Sequence, residues 1–440
     1  MLGRILSSLA AIERHEIPAV VSSFCLFFCV MSGYFAIRPV RDTFGSFMGR
    51  ENLADLWIFT WLASLAIVPI YGGLVARFRR SVFLPWTYGA VALSLILVGL
   101  TLQDGTPGVR VGQFFWVFIS VLNLFIISVF WSFLLELFRT EQTKRLFGVI
   151  AAGGTAGALA GPLFTDFAVA TIGNAGVLYI GGTLFALAIL CQRILLTIWR
   201  ERTETGERQE RAIGGNPFGG VSIVARSPYL LAIALFVFLL ASVNTFLYFE
   251  QLRLVEAAFA DAESRTRVFA RIDWVVQSLT IVSQLFLTGW IASRFGLVVL
   301  LSMVPIAMVF GFVTLAMWNS FAVVAVLMVG RRFGEYAFVR PGREMLWAPL
   351  DKETKYKAKN FVDVPVYRGA DALVAQVQTG IEGAGFGPQA IATLGVVTAA
   401  AWAVNGWWLG RKHDAASLTT DATASSLNAQ GLRPKAQGLT

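Results

Sequence analysis

Long stretches of this sequence contain no charged residue, and this feature limits the possible folds more than any other. The stretches 17–37, 81–102 and 228–249 lack Asp, Glu, Lys and Arg, and each is as long as the roughly 20 apolar residues that a helix needs to cross a hydrocarbon core about 30 Å thick. Of all residues, 56% are apolar and 14% are charged, whereas soluble domains have about 45–50% and about 25%. Because the runs are continuous rather than alternating, they predict membrane-spanning α-helices.

Twelve such runs can be distinguished, so we expect an all-α, polytopic membrane protein with twelve transmembrane helices. The predicted spans are 17–37, 56–76, 81–102, 112–137, 146–171, 176–198, 228–250, 270–292, 297–317, 320–346, 360–380 and 388–409.

The longest polar segment, 201–227, separates the sixth run from the seventh, and we interpret it as a cytoplasmic linker between two six-helix bundles. An amphipathic lead-in, 1–16, precedes the first bundle, 17–200. The second bundle, 228–412, is followed by residues 413–440, whose Ser, Thr, Ala and Gln content is typical of a disordered tail.

Basic residues are concentrated in alternate loops. With a cytoplasmic N-terminus, the inner loops carry clusters such as Arg139, Lys144 and Arg145, while most outer loops carry few basic residues; 38–55 and 251–269 are the exceptions. This asymmetry predicts a protein of the inner cell membrane with both termini in the cytoplasm. Because much of the net charge of +9 lies in these loops, we do not expect nucleic acid as a partner.

The two predicted bundles share a short sequence pattern. Residues 72–78 and 289–295 both read Gly-x-(Leu/Ile)-x-(Ala/Ser)-Arg-Phe. Repeated halves around a midplane site are a feature of secondary transporters. Both segments also resemble the loop signature of the major facilitator superfamily, although Ala76 and Ser293 replace its acidic residue. This resemblance implies the major facilitator fold, with two pseudo-symmetric six-helix bundles.

Several predicted spans contain ionisable residues, which cost at least ~2.5 kcal/mol each at membrane depth and are therefore functional candidates. Arginines outnumber the nearby acids, and a guanidinium group binds carboxylate or phosphate in a bidentate manner. We therefore predict a cavity that binds an anion, which Asn123, Tyr248 and Gln277 could also line. The expected binding residues are Arg38, Arg41, Arg331, Arg332, Arg368, Tyr367 and Asn244.

Other charged residues in or beside the spans are candidates for coupling and gating. They are Asp42, Glu136, Glu335, Arg340, Arg343, Asp363 and Asp371. We expect Asp42, Glu335 and Asp371 to hold the arginines when the site is empty and to couple protons, and Glu136 to act at a cytoplasmic gate. In an alternative interpretation, pairs such as Arg331–Glu335 only lock helices together, and Asn244 joins helices.

The sequence does not support other kinds of site. Cys25 and Cys29 share a helix face, as a metal pair would, but with no further ligand nearby we interpret them as packing residues and expect no metal or cofactor. The glycines of 153–161 lack the Gly-Lys-Ser/Thr ending of a phosphate loop and recur every four residues, as in close-packed membrane helices. No catalytic constellation is present, so the chain is not expected to be an enzyme.

Three stretches resemble a single family of transporters. They are 34–42, 141–148 and 340–371. They are similar to the ATP:ADP translocase family of intracellular bacteria and plastids, and more closely to its bacterial relatives, the NTP/NDP exchange transporters. The resemblance implies exchange of nucleotides or other phosphorylated solutes. The exchangers have a Lys-Asp pair where this chain has Arg41 and Asp42, and they use acids for which Glu136 and Glu250 are the candidates here.

Together these features predict a monomeric secondary transporter with alternating access, which carries a small anionic solute across the lipid bilayer by exchange or proton coupling. Two alternatives remain open. One is efflux or flipping of amphiphilic or lipidic solutes, which requires an aromatic cavity. The other is a membrane scaffold or sensor without transport, which requires a partner for the linker or the tail.

Overall fold

A computed structural model describes residues 12–77, 80–102, 106–199 and 220–429 of the chain. Most of the predicted lead-in, residues 201–219 of the predicted linker and residues 430–440 of the predicted tail lie outside this description.

The described residues form α-helices joined by short connections. The helices are α1 (Ile17–Phe47), α2 (Arg50–Arg77), α3 (Arg80–Leu100), α4 (Val109–Leu137), α5 (Thr140–Trp199), α6 (Val221–Arg226), α7 (Pro228–Ala258), α8 (Ala262–Phe286), α9 (Thr288–Met317), α10 (Phe321–Gly334), α11 (Arg340–Leu346), α12 (Lys352–Phe361), α13 (Tyr367–Gly383) and α14 (Pro388–Ala429). Two π-helical segments, Glu335–Val339 and Val362–Val366, connect α10 to α11 and α12 to α13.

Seven helices in the described part of the chain are long and apolar enough to cross a membrane: α1, α3, α4, α5, α7, α9 and α14. The helices α8, α10 and α13, which contain many of the predicted site residues, are shorter or more polar. The structure confirms the prediction of an all-α, polytopic membrane protein.

Two long helices contain a sharp break at a glycine. Gly173 in α5 has φ 67°, and Gly296 in α9 has φ 71°, a left-handed conformation that favours glycine because it has no Cβ. The break in α5 falls between the predicted spans 146–171 and 176–198. The break in α9 separates a short first piece, which contains the repeated motif 289–295, from the long apolar piece that follows.

Three predicted boundaries differ from the structure. Helix α1 continues through Pro39 to Phe47, and α8 begins at Ala262, so most of the predicted loops 38–55 and 251–269 is helical. Some of their charges pair with other helices, as Arg38 does with Asp273 and Arg50 with Glu382, and hydropathy does not register such pairs. The predicted tail begins at residue 413, whereas α14 continues to Ala429; the alanines of this segment favour helix.

Buried apolar side chains form two clusters. The larger one is built mainly from α1–α5 with contributions from α7, α8 and α13, and the second comprises side chains of α6–α14. Between the two parts of the chain, which we call the N-half (12–199) and the C-half (220–429), the main contacts are α5 with α8, α2 with α13, and α1 with α7 and α8.

Helix α5 lies directly against the backbone of α1 because glycines of α5 face carbonyl groups of α1. The glycines are Gly153, Gly157 and Gly161, and the carbonyl groups are those of Phe24, Phe28 and Ser32. A Cβ at Gly153 or at Gly161 would lie 2.5 Å from the facing oxygen, closer than van der Waals contact allows. Both sets recur every four residues, so the stripe serves packing.

Candidate functional site

Charged residues from both halves meet near the middle of the helices. Arg38, Ser120, Asp273 and Arg332 each lie about ten residues from the same end of their helix, or roughly 15 Å at 1.5 Å per residue, about half the thickness of a hydrocarbon core. We call this end, where α1 meets α8, the outer end, after the orientation predicted from loop charge. The arginine cluster comprises Arg38, Arg41, Arg331, Arg332 and Arg368.

Arg41 is held within a polar and aromatic network. Its Nε donates to Oδ1 of Asp42 at 3.0 Å, and its guanidinium lies 5.8 Å from the ring centre of Trp116. The hydroxyl of Tyr248, from α7, also donates to Asp42 Oδ1 at 3.0 Å and accepts from Trp116 Nε1 at 3.3 Å. Trp57 stacks edge-on against both aromatic rings. This network joins the N-half to the C-half.

Arg368 also spans the two halves. Its Nη2 donates to the backbone oxygen of Ser120 at 3.1 Å, and its Nη1 lies 3.6 Å from Asp371. Asp371 is fully buried and accepts a hydrogen bond from Thr245 at 2.9 Å. Because Arg41 Nη1 approaches Ser120 Oγ at 3.4 Å, Ser120 connects the environments of the two arginines.

A single carboxylate lies between Arg38 and Arg332. Asp273 of α8 accepts a hydrogen bond from Nη1 of Arg332, and its Oδ2 lies 3.8 Å from Nε of Arg38. Asp273 and Arg332 are 1% and 3% exposed. The two arginines come from different halves, so this carboxylate bridges the interface.

Arg331 pairs with Glu335, whose Oε2 lies 2.8 Å from Nη1. Glu335 begins one π-helical segment, and Asp363 lies in the other, where Arg343 approaches it at 3.4 Å. Single-turn π-bulges are frequent at functional sites, because they interrupt regular i→i−4 pairing. The two π-segments occur on the helices that contribute Arg331, Arg332 and Arg368.

The remaining predicted site residues have less direct roles in the geometry. Tyr367 and Asn244 are partly buried, Tyr367 being packed in the second apolar cluster. Arg340 is exposed, with its guanidinium 5.4 Å from the ring centre of Tyr336. Glu136 is exposed near the end of α4, far along the helix from Ser120, so the structure does not place it with the arginine cluster.

Several donors of the cluster are buried and have no hydrogen-bond partner among the residues that the structure describes. They are Nε of Arg331 and both Nε and Nη2 of Arg332. Leaving such groups unpaired costs about 1–3 kcal/mol each, and more where the group is charged. Five arginines face four carboxylates here, those of Asp42, Asp273, Glu335 and Asp371. An oxyanion would satisfy the free donors and the surplus charge.

At the outer end, α5 and α8 are joined by a second charged group. Arg271 donates from Nε and Nη2 to the two oxygens of Asp166 at 3.2 and 3.1 Å, and Trp274 Nε1 donates to the same carboxylate at 2.9 Å. Nearby, Thr43, Thr266 and Asn174 form a buried chain of hydrogen bonds across the halves. We call these six side chains the outer latch.

The inner end of the N-half has its own polar cluster. Arg145 and Gln142 donate to Glu16 Oε1 at 2.9 and 3.0 Å. Burial of Glu16 acts to raise the pKa of its carboxyl group, but these hydrogen bonds, one from the Glu13 N–H and the charge of Arg145 outweigh burial and lower the pKa. Glu13, His15 and Glu16 come close enough to share a metal ion, yet the Arg145 guanidinium already serves as their counter-ion.

Some residues of this geometry were not among the expected site residues. Asp273, Ser120 and Trp116 lie in direct contact with the arginines, and Tyr248 was only a possible lining residue. Asp273 is recognisable in the sequence as an ionisable residue within a predicted span, but a serine or tryptophan gives no such signal. The expectation that no further metal ligand lies near Cys25 and Cys29 was wrong, because the side chain of Cys191 in α5 is hydrogen-bonded to that of Cys29.

Known proteins with similar sequence or structure are transporters. No protein-family model matches the chain. It is 22% identical to ADP,ATP carrier protein 1 of Chlamydia muridarum, over 86% of this chain and 84% of the relative. It is 21% identical to ADP,ATP carrier protein 1 of Chlamydia trachomatis, over 86% and 85%.

Solved structures of similar fold cover nearly the whole chain. The nucleoside transporter NupG is similar with a TM-score of 0.60 at 12% identity, over 90% of this chain and 98% of that one. An auto-inhibited peptide transporter of the POT family gives 0.59 at 13%, over 89% and 96%. A bacterial homologue of the human lysosomal transporter Spinster, inward-facing and unoccupied, gives 0.53 at 14%, over 92% and 95%.

These relatives are transporters rather than enzymes, as we expected for this chain. The helical architecture and the likeness to these structures agree with the resemblance found in the sequence. The chain is therefore a multi-pass membrane protein with the fold of major facilitator transporters, and its sequence is weakly similar to the ADP,ATP carrier proteins.

Proposed function

We propose that the chain is a secondary transporter that carries an anionic, phosphorylated solute by exchange or proton coupling. The main support is the arginine cluster, where five guanidinium groups face four carboxylates at mid-depth and buried donors of Arg331 and Arg332 have no protein partner. A buried charge without a counter-ion is costly, so this arrangement favours an anionic occupant.

Nucleotides are the solutes that we propose first. The similar Chlamydia proteins are named ADP,ATP carriers, and NupG is named a nucleoside transporter. The chemistry of the site is compatible with both parts of a nucleotide, since Trp116 lies beside Arg41 and Trp57 packs against the rings of Trp116 and Tyr248. Aromatic rings suit a base, and arginine suits phosphate.

Alternating access would proceed by rocking of the N-half against the C-half, working as a monomer with both termini in the cytoplasm. The outer latch and the pair Arg50–Glu382 close the outer end. On the inner side of the cluster, Asn123, Gln284 and Arg340 are exposed. We infer that this conformation opens toward the inner end, with Glu136 and the pair Arg343–Asp363 near the opening.

Counterflow in proteoliposomes tests the proposed function directly. Proteoliposomes that contain the purified protein are preloaded with unlabelled ADP, inorganic phosphate or a sugar phosphate. Uptake of the same compound in labelled form is then measured with and without a proton gradient. Empty liposomes and uncharged nucleosides serve as controls. Saturable uptake of one anion supports the proposal. Equal uptake of nucleosides, or no uptake of any anion under either condition, would contradict the proposal and favour efflux of amphiphiles or a sensor role.

The outer latch gives a prediction about conformation. We expect Asp166→Asn to weaken the closed outer end, because it removes the charge that Arg271 contacts with two hydrogen bonds. Hydrogen bonds to charged groups contribute about 1.5–3 kcal/mol, so the outward-open fraction should rise by roughly tenfold or more. The measurement is the labelling rate of Ser46→Cys, a buried outer position, by a membrane-impermeant maleimide.

The matched control is Glu51→Gln, which removes an exposed acid at the start of α2. It should leave the labelling rate of Ser46→Cys within about twofold, as expected for a surface change. If Asp166→Asn and Glu51→Gln label equally fast, the contact between α5 and α8 does not hold the outer end closed.

A further inference from the structure

Asp273 differs from the other acids of the arginine cluster in how it is paired. Asp42, Glu335 and Asp371 each face an arginine one, four or three residues away in their own stretch of helix. Asp273 instead lies on α8 and faces Arg38 of α1 and Arg332 of α10. Its distance to Arg38, which belongs to the other half, therefore changes whenever the two halves move, whereas each of the other three pairs stays within one half.

This one carboxylate does not satisfy both arginines. It is hydrogen-bonded to Arg332 through Oδ1, but Oδ2 lies 3.8 Å from Arg38 and is buried without a hydrogen-bond partner. Arg332, 3% exposed, has Nε and Nη2 buried and unpartnered. A guanidinium offers donors in a planar fork that matches a bidentate oxyanion, and Asp273 occupies only part of that fork.

We propose that Arg38 and Arg332 together bind the anionic group of the solute, and that Asp273 is an internal competitor for the same two guanidinium groups. This inference rests on the proposed transport of an anion and assigns the residues that set its affinity. An anion held by arginines from both halves would otherwise join the halves tightly. By returning to the arginines as the solute departs, Asp273 lowers the affinity and speeds release.

The competition predicts opposite effects on binding and turnover. Without the carboxylate of Asp273, nothing competes with the anion for the two arginines. The anion then binds more tightly and is released more slowly. We expect Asp273→Asn to lower the Kd for ADP or inorganic phosphate by about tenfold or more and to reduce the maximal exchange rate by a similar factor. A tenfold change in Kd corresponds to about 1.4 kcal/mol. This is less than the free energy that breaking a buried ion pair costs.

The experiment measures equilibrium binding of labelled ADP and of inorganic phosphate to the detergent-purified full chain, and exchange in proteoliposomes. Glu263→Gln is the matched control, because it removes one negative charge from the same helix, α8, but from its first turn, away from the arginine cluster. Its Kd should change by less than about threefold, as expected when the local charge changes without loss of a competitor. Thermal unfolding confirms that each variant is folded.

Arg38→Gln provides a second test that does not depend on folding of the Asp273 variant. Without the guanidinium group of Arg38, the affinity for the same anion should fall by about tenfold or more, as expected for loss of a hydrogen bond to a charged group. Unchanged or weaker binding in Asp273→Asn, or wild-type affinity in Arg38→Gln, would overturn the inference while anion binding by the wild-type chain stands. Failure of the wild-type chain to bind any anion would instead overturn the proposed function, and this inference with it.

Discussion

Replacing Arg332 with alanine is expected to reduce anion counterflow by about 100-fold or more. Arg332 is 3% exposed, is the hydrogen-bonded partner of Asp273, and has two further nitrogens without a protein partner. Its loss removes a donor for the solute and leaves the Asp273 carboxylate buried with only a distant Arg38. Breaking a buried pair in this way costs about 3–5 kcal/mol. The measurement is initial uptake of labelled ADP, or of whichever anion the wild-type chain exchanges.

Two variants distinguish a role in solute binding from a general loss of structure. Arg332→Lys preserves the charge without the planar fork, so flux should recover only in part. Arg110→Ala removes an exposed arginine at the outer end of α4, away from the cluster, and should retain most of the flux. Equal flux in the wild type and Arg332→Ala would contradict the assignment of Arg332.

Replacing Gly157 with leucine is expected to prevent stable folding of the N-half. A Cβ at this position would clash with the carbonyl oxygen of Phe28 and lie 2.9 Å from the amide nitrogen of Ser32. These are backbone atoms of α1, so relief requires the two helices to separate. Overpacking costs about 1–3 kcal/mol where side chains can yield, and more where they cannot. The measurements are folded yield by size exclusion and the midpoint of thermal unfolding.

The control lies on the same helix. Gly148→Leu introduces the same side chain into α5 at an exposed site, where a Cβ would meet no atom within 4 Å. Leucine also favours helix over glycine by about 0.8–1.0 kcal/mol, so this variant should be as stable as the wild type or slightly more so. A Gly157→Leu protein with wild-type yield and unfolding midpoint would show that α5 does not depend on close contact with α1.

Much of the candidate site could be found in the sequence because charges are conspicuous within apolar spans. The five arginines and Asp42, Glu335 and Asp371 were selected on that basis, and the structure brings them together at mid-depth. The expected pair Arg331–Glu335 also occurs, because its two residues lie four positions apart on one helical stretch. Such pairs follow from helical periodicity alone. Whether they bind a solute stays a prediction.

Contacts between helices could not be obtained in the same way. Tyr248 meets Asp42 across the two halves, and Asp166 meets Arg271 in the outer latch. In both cases the partners are distant in sequence, and their meeting depends on how helices are ordered and rotated. The lengths of α1 and α8 were also underestimated, because hydropathy ends a span at its charges while the structure pairs those charges with neighbouring helices.

Apolarity and charge along the chain are enough to predict an all-helical membrane protein and to locate the arginines within its spans. They are enough because lipid requires each spanning segment to satisfy its own backbone hydrogen bonds, which makes the signal local. The pairing of acids with arginines across the halves, and the position of Asp273 between Arg38 and Arg332, follow from how the helices pack. The packing of α8 against α1 and α10 sets those distances, and no local pattern encodes them.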